Sequence, residues 1–226
     1  QLIQTQWDVC KPFGVSIGFH SGSGKSAENY QVMGRVTGGN LEIKTSGRYT
    51  YEMGVALHAS TDPSDQALWK DWYQFTVELA VKGAFSDQET ERTMARAFIA
   101  DAFRTLSVPE PVTIYNSPEA CRMAIGQLAA DPNLMFWFEY NFLFVLAANG
   151  KADKAALGDH SPAGYLQRKR FYTISDQGRL RYCRNVASYL IFLAENTGLV
   201  GKERCVSSRA KLESCNSWVD FLSQIQ

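Results

Sequence analysis

The sequence predicts an α+β chain, with a small N-terminal antiparallel β element packed on a mainly helical bundle of about seven helices. Three observations lead there. Nine of the 17 glycines fall within residues 1–60, together with apolar/polar alternation of period two. From residue 62 onward a capping residue is followed four times by proline, as happens at helix starts. One stretch, Leu134 to Ala148, is apolar on every side and reads as a helix surrounded by others.

Taken in order, Asp8 to Gly14 reads as extended, because Pro12 opposes a helix there. Val15–Phe19 and Tyr30–Val36 read as short strands on either side of a Ser/Gly-rich loop at Ser21–Ser26. Gly38-Gly39-Asn40 reads as a turn. Leu41, Ile43 and Thr45 alternate with polar neighbours, as do Tyr49, Tyr51, Met53, Val55 and Leu57. Ser46-Gly47 between these two runs predicts a hairpin. Residues 1–60 form the β element and residues 61–226 the helical domain, the two making one compact unit.

Helix starts are predicted at Asp62-Pro63, Ser117-Pro118, Asp131-Pro132 and Ser161-Pro162, and stops at Gly83, Asn149-Gly150 and Gly198. A capping box of Ser86 and Glu89 precedes Met94, Phe98, Ala102 and Leu106 on one face. Val108 to Pro111 is an extended connector. Leu68/Trp69, Trp72/Tyr73, Phe75/Thr76 and Leu79/Ala80 make a wide apolar stripe on the helix that starts at Asp62-Pro63. Two further helices run from about Ser175 to Asn196 and from about Val206 to Ile225, and Pro132–Asn149 lies at the centre of the bundle.

The 23 basic and 23 acidic residues cancel, so no long-range field of one sign recruits a polyanion or a cation-rich partner. With 45% apolar and 20% charged residues the composition is globular. The apolar run at Leu134–Ala148 is too short to span a bilayer and contains Glu139 and Asn141. Residue 1 is Gln, consistent with a cloned fragment or with a processed chain in a periplasmic or secreted setting. There Cys10, Cys121, Cys183, Cys205 and Cys215 would allow two disulfides, one of them stapling the C-terminal helices. No Cys/His spacing matches a zinc site, so neither metal nor cofactor is expected.

The string His20-Ser21-Gly22-Ser23-Gly24-Lys25-Ser26 approaches a phosphate-binding loop, but Phe19 stands where that motif needs glycine. Glu139 lies among Phe136, Trp137, Phe138, Tyr140 and Phe142. Buried there, it would suit a general acid for glycoside cleavage; otherwise it marks one polar edge of the helix or pairs with an arginine. Cys10 with His58 is the corresponding thiol/imidazole candidate. A cell-wall (peptidoglycan) hydrolase built on either set is the enzymatic alternative.

Charge is unevenly distributed. Arg168, Lys169, Arg170, Arg179, Arg181 and Arg184 stand against Asp176 alone, whereas residues 61–119 carry twice as many acids as bases. Tyr172 interleaves with the basic run, as on an anionic-polymer surface. The same run could pack on the acidic helices internally or dock an acidic protein. Trp7, Phe13, Phe19 and Tyr30 make an aromatic set suited to an interface or to core packing. The function expected is that of a non-enzymatic, protein-binding accessory or inhibitor protein of the bacterial envelope or secreted space. Its partner is expected to be another protein rather than nucleic acid.

Overall fold

The computed structural model describes residues 2–20, 25–147 and 162–225. It is mainly helical, with a small parallel two-stranded sheet, and divides into two compact units. The first comprises residues 1–53 and 176–226; the second comprises 54–175.

In the first unit, α1 (Leu2–Cys10) and a 3-10 turn (Lys11–Phe13) lead into β1 (Ile17–Phe19), α2 (Ala27–Thr37) and β2 (Leu41–Ile43). The strands pair in parallel, Ile17 opposite Leu41 and Phe19 opposite Ile43. This overturns the antiparallel expectation. Parallel neighbours need a crossover, and α2 supplies it. Residues 30–36 are therefore helix and not strand. Ser26 caps α2 by accepting from Asn29 N at 3.5 Å, and Gly38 ends it at φ 61°. Tyr30, Met33, Gly34 and Thr37 are its buried face, at helical spacing.

The second expected strand, Tyr49 to Leu57, is likewise helical, within α3 (Ser46–His58), so no hairpin forms at Ser46-Gly47. An Arg48–Glu52 ion pair at 2.5 Å, four residues apart, supports the first turns of α3. The segment at Asp8–Gly14 is also helical up to Cys10, and Pro12 is accommodated by the 3-10 turn, where no ladder donor is needed. Residues 21–24 of the Ser/Gly-rich loop, with the centre of the phosphate-loop string, lie outside the described residues.

The first unit is completed by α9 (Asp176–Thr197), α10 (Lys202–Ser214) and α11 (Trp218–Ile225); the helices from α4 (Pro63–Ala84) to α8 (Pro162–Tyr172) belong to the second unit. Tyr30, Met33, Tyr189 and Leu193 form its core, with Ile3, Phe19, Ile43 and Phe192 against it. The Tyr30 and Tyr189 hydroxyls lie 3.2 Å apart, and the Arg48 guanidinium sits over the rings of Tyr51 and Tyr189. The single helix expected from Val206 to Ile225 is broken at residues 215–217. There Ser217 Oγ accepts from Asp220 N at 3.1 Å while Asp220 accepts from Ser217 N at 2.9 Å, a capping box that starts α11.

The second unit is built on α4 (Pro63–Ala84), which packs against α5 (Glu89–Thr105), α6 (Pro118–Gly126) and α7 (Met135–Ala147). Its centre is thus α4, not the Pro132–Asn149 segment. The caps at Asp62 and Ser117 form as expected: Asp62 accepts from Ser64 N at 2.8 Å and Ser117 from Ala120 N at 3.0 Å. Asp131 instead closes a turn on Asn133 N, and α7 begins at Met135. Ser161 and the Asn149-Gly150 stop lie outside the described residues; α8 runs Pro162–Tyr172.

Gly83, the expected stop, falls one residue before the end of α4 at Ala84. It lies inside α4, where an added Cβ would meet Tyr140 Oη and Ala95 Cβ at about 3 Å, so its missing side chain lets α4 approach its neighbours. At α5 the capping box does not form, because Ser86 Oγ donates to Glu91 and the helix begins at Glu89. The inward face is Ala95, Ile99, Ala102 and Phe103, one position round from the expected one, which leaves Met94 exposed. Eleven α-helices are present among the described residues, against about seven expected.

Trp137 packs on Trp69 and on Trp72 with centroids 5.1 and 5.2 Å apart, and Phe144 and Phe171 close on Trp72. Trp72 Nε1 donates to Asn141 O at 2.8 Å, locking α4 to α7. Trp137 needs Gly54, whose added Cβ would lie 2.8 Å from Trp137 Cζ2.

All five cysteines are thiols in the structure, which removes the expected staple. Cys205 and Cys215 lie at opposite ends of α10, about 15 Å apart at 1.5 Å per residue. A bridge requires Cα atoms within about 7 Å, so these two cannot join.

Candidate functional site

α7 is the most apolar helix in the chain, and it does not bury all of its sides. Phe136, Trp137, Asn141 and Phe144 point inward, while Met135, Phe138 and Phe142 remain 39–42% exposed. At 100° per residue these three fall within one stripe of about 60°, and Glu139, also exposed, borders the same stripe. Asn141, two residues on, is buried, and its Nδ2 donates to Phe138 O at 2.9 Å. Asn141 O takes the Trp72 indole proton, so the helix is held in rotation by its inner face. The outer stripe is therefore fixed in direction and partly exposed.

Glu139 has neither an ion pair nor a hydrogen bond among the described residues. It stands exposed on the polar edge of α7. Tyr140, beside it, is half-buried, and burial raises its phenol, with the Glu91 and Glu139 carboxylates adding to the effect.

Cys10 is half-buried at the carbonyl end of α1, where the 3-10 turn begins. His58 is exposed at the end of α3 with its ring edge-on to Trp69 at 5.4 Å. The two belong to different units. Among the described residues no group of His, Cys, Asp and Glu gathers as metal ligands.

The basic run is divided between the units. Arg168, Lys169, Arg170 and Tyr172 lie on α8; Arg179, Arg181 and Arg184 lie on α9. Arg170 Nη1 donates to Asp71 on α4 at 2.8 Å, so here the basic segment packs on an acidic helix of its own unit. Arg179 reaches Asp176 within α9 at 3.4 Å, and Arg168, Arg181 and Arg184 are half-buried. Lys169 is exposed and Tyr172 is 79% exposed. Of the aromatic set, Trp7 and Tyr30 are buried, Phe19 packs on the core of the first unit, and Phe13 alone is exposed.

A groove of about 360 Å³ in the first unit runs between the ends of α2 and α9. Its polar side chains are largely engaged: Gln31 donates to Asn196 at 3.0 Å and Glu195 accepts from Arg209 at 2.8 Å. It has no convergent set of reactive groups. The outer stripe of α7 is the stronger candidate. Sequence reasoning treated this helix as wholly enclosed and so missed Met135, Phe138 and Phe142. The available signal was Glu139 beside an i, i+3, i+7 apolar set.

Comparison of the chain with protein families, with curated proteins and with solved structures found no match. No helix among the described residues is long and apolar enough to cross a membrane.

Proposed function

We propose that the protein is a non-enzymatic, protein-binding component that docks its partner on the outer stripe of α7. One observation carries this reading: on the strongly apolar α7, Met135, Phe138 and Phe142 are each about two-fifths exposed along one face. Scattered exposed apolar residues are ordinary, but an aligned set of large ones rimmed by charge is characteristic of an interaction surface. Two phenylalanines give the stripe the aromatic character of binding hot spots, and Glu139 at its edge supplies a charge that selects partner and register.

A photo-crosslinking phenylalanine analogue at position 138, expressed in the native host, tests this. Position 112 is the control, since Val112 is fully exposed and outside α7. The expected result is a discrete protein adduct from position 138 and none from position 112. Equal, diffuse labelling from both positions would count against the site.

A further inference from the structure

We infer that the groove between the ends of α2 and α9 binds a small anion, its carboxylate or phosphate group held by Arg35, Lys202 and the first amides of α10. The site lies wholly within the first unit, and the inference does not depend on the reading of α7.

The groove has the size of a small-molecule site, with a volume of about 360 Å³ against the roughly 300–1,000 Å³ such sites occupy. From Gly34 and Arg35 of α2 it passes Asn196 and Gly198 and continues to Gly201 and Lys202 at the start of α10. Its walls are tied to each other. Gly34 lets the Thr197 carbonyl oxygen approach α2, and Gln31 donates to Asn196 at 3.0 Å. A ligand therefore meets a preformed groove and does not have to open one.

The charge of the lining favours an anion. Its one acid, Glu195, is already paired with Arg209 at 2.8 Å. Its two cations, Arg35 and Lys202, are exposed, and neither side chain has an ion pair or hydrogen bond among the described residues. The first backbone bond of α10 runs from Cys205 N to Gly201 O. The amides of Lys202, Glu203 and Arg204 precede it, and Gly201 offers them no side-chain cap. Fixed N–H dipoles beside two cations favour a negative group.

Gly201 itself is the second sign. Its φ of −59° and ψ of 145° suit any residue, and an added Cβ would meet nothing within 4 Å. Backbone geometry does not require glycine there, and Ser, Asp or Asn would cap the helix better. The bare N-cap leaves the amides open to a ligand in the groove.

Two-dimensional NMR of the whole chain, titrated separately with inorganic phosphate and with succinate at constant ionic strength, tests the site. Saturable shifts confined to residues 31–39 and 195–204 are expected, and the probe that saturates at lower concentration identifies the group recognised. Arg35→Ala and Lys202→Ala should each weaken binding by about tenfold, as loss of a hydrogen bond to a charged group does. Gly201→Asp should abolish binding while the melting temperature stays equal or rises, because the new carboxylate caps α10 and takes the anion's place. Those opposite signs separate loss of the site from loss of the fold. No saturable shift with either probe, shifts scattered over the surface (an adventitious ion only), or binding indifferent to both Arg35→Ala and Lys202→Ala overturns the inference.

Discussion

Gly34→Ala is expected to destabilise the protein by about 3 kcal/mol, at the upper end of the cost of overpacking. Gly34 lies in the middle of α2, where helix propensity alone would make alanine better by about 1 kcal/mol. The sign is therefore diagnostic. An added Cβ would overlap the Thr197 carbonyl oxygen and stand 2.6 Å from its carbon. Both atoms are backbone, at the end of α9, so no rotamer change relieves the clash, and α2 and α9 must separate. That separation would disturb the Tyr30–Tyr189 and Tyr30–Phe192 contacts that join the same two helices. The readout is a lower urea midpoint with unchanged slope. Gly18→Ala, on β1 where nothing lies within 4 Å of the added Cβ, is the control, with an expected change under about 0.5 kcal/mol.

Asp65→Ala should cost a similar amount, about 3 kcal/mol, through lost hydrogen bonds to a buried charge. Asp65 is 1% exposed in the first turn of α4. Its carboxylate accepts from Ser60 Oγ at 2.7 Å, from Ser175 N at 2.9 Å and from Ser175 Oγ at 2.5 Å. Ser60 and Ser175 lie near the two ends of the second unit, 110 residues separating Asp65 from Ser175, so one side chain ties the unit's chain ends together. Asp65→Asn keeps one acceptor oxygen and should fall between wild type and alanine. Equal stability of Asp65→Ala and wild type in urea would show that the latch contributes nothing.

Much of the second unit was legible because its helix starts are local chemistry. Asp62 and Ser117 take backbone protons as their neighbouring prolines suggest, and the inward residues of α4 follow from spacing alone. The first sixty residues were misread for an equally physical reason. The apolar alternation at Tyr49, Tyr51, Met53 and Val55 mimics a strand but does not track burial: those four are only partly buried, while α3 buries Glu52, Gly54, Ala56 and Leu57. In α2 the deciding signals were Ser26 and Gly38 at the ends and the buried spacing of Tyr30, Met33 and Thr37, and the surrounding glycines obscured them. The break before α11 was written in Ser217 and Asp220.

At the candidate site, the oddity of Glu139 could be read from its aromatic neighbours, but its exposure could not. Whether an all-apolar helix is enclosed depends on how many neighbours reach it. α4 and α5 cover α7 only on the side of Phe136, Trp137 and Phe144. The basic run shows the same limit: spacing gave its charge, whereas only packing revealed that Arg170 is engaged by Asp71 and that Lys169 is left outward.

The claim that the outer face of α7 binds protein is tested most directly by sizing the chain in extracts of its native host, as wild type and as Phe138→Asp/Phe142→Asp. Both positions are already about two-fifths exposed, so aspartate there should leave the fold and its melting temperature nearly unchanged. Wild type should elute above the size of a single chain, and the double variant should elute at that size. Identical elution of the two, with both folded, would contradict the account.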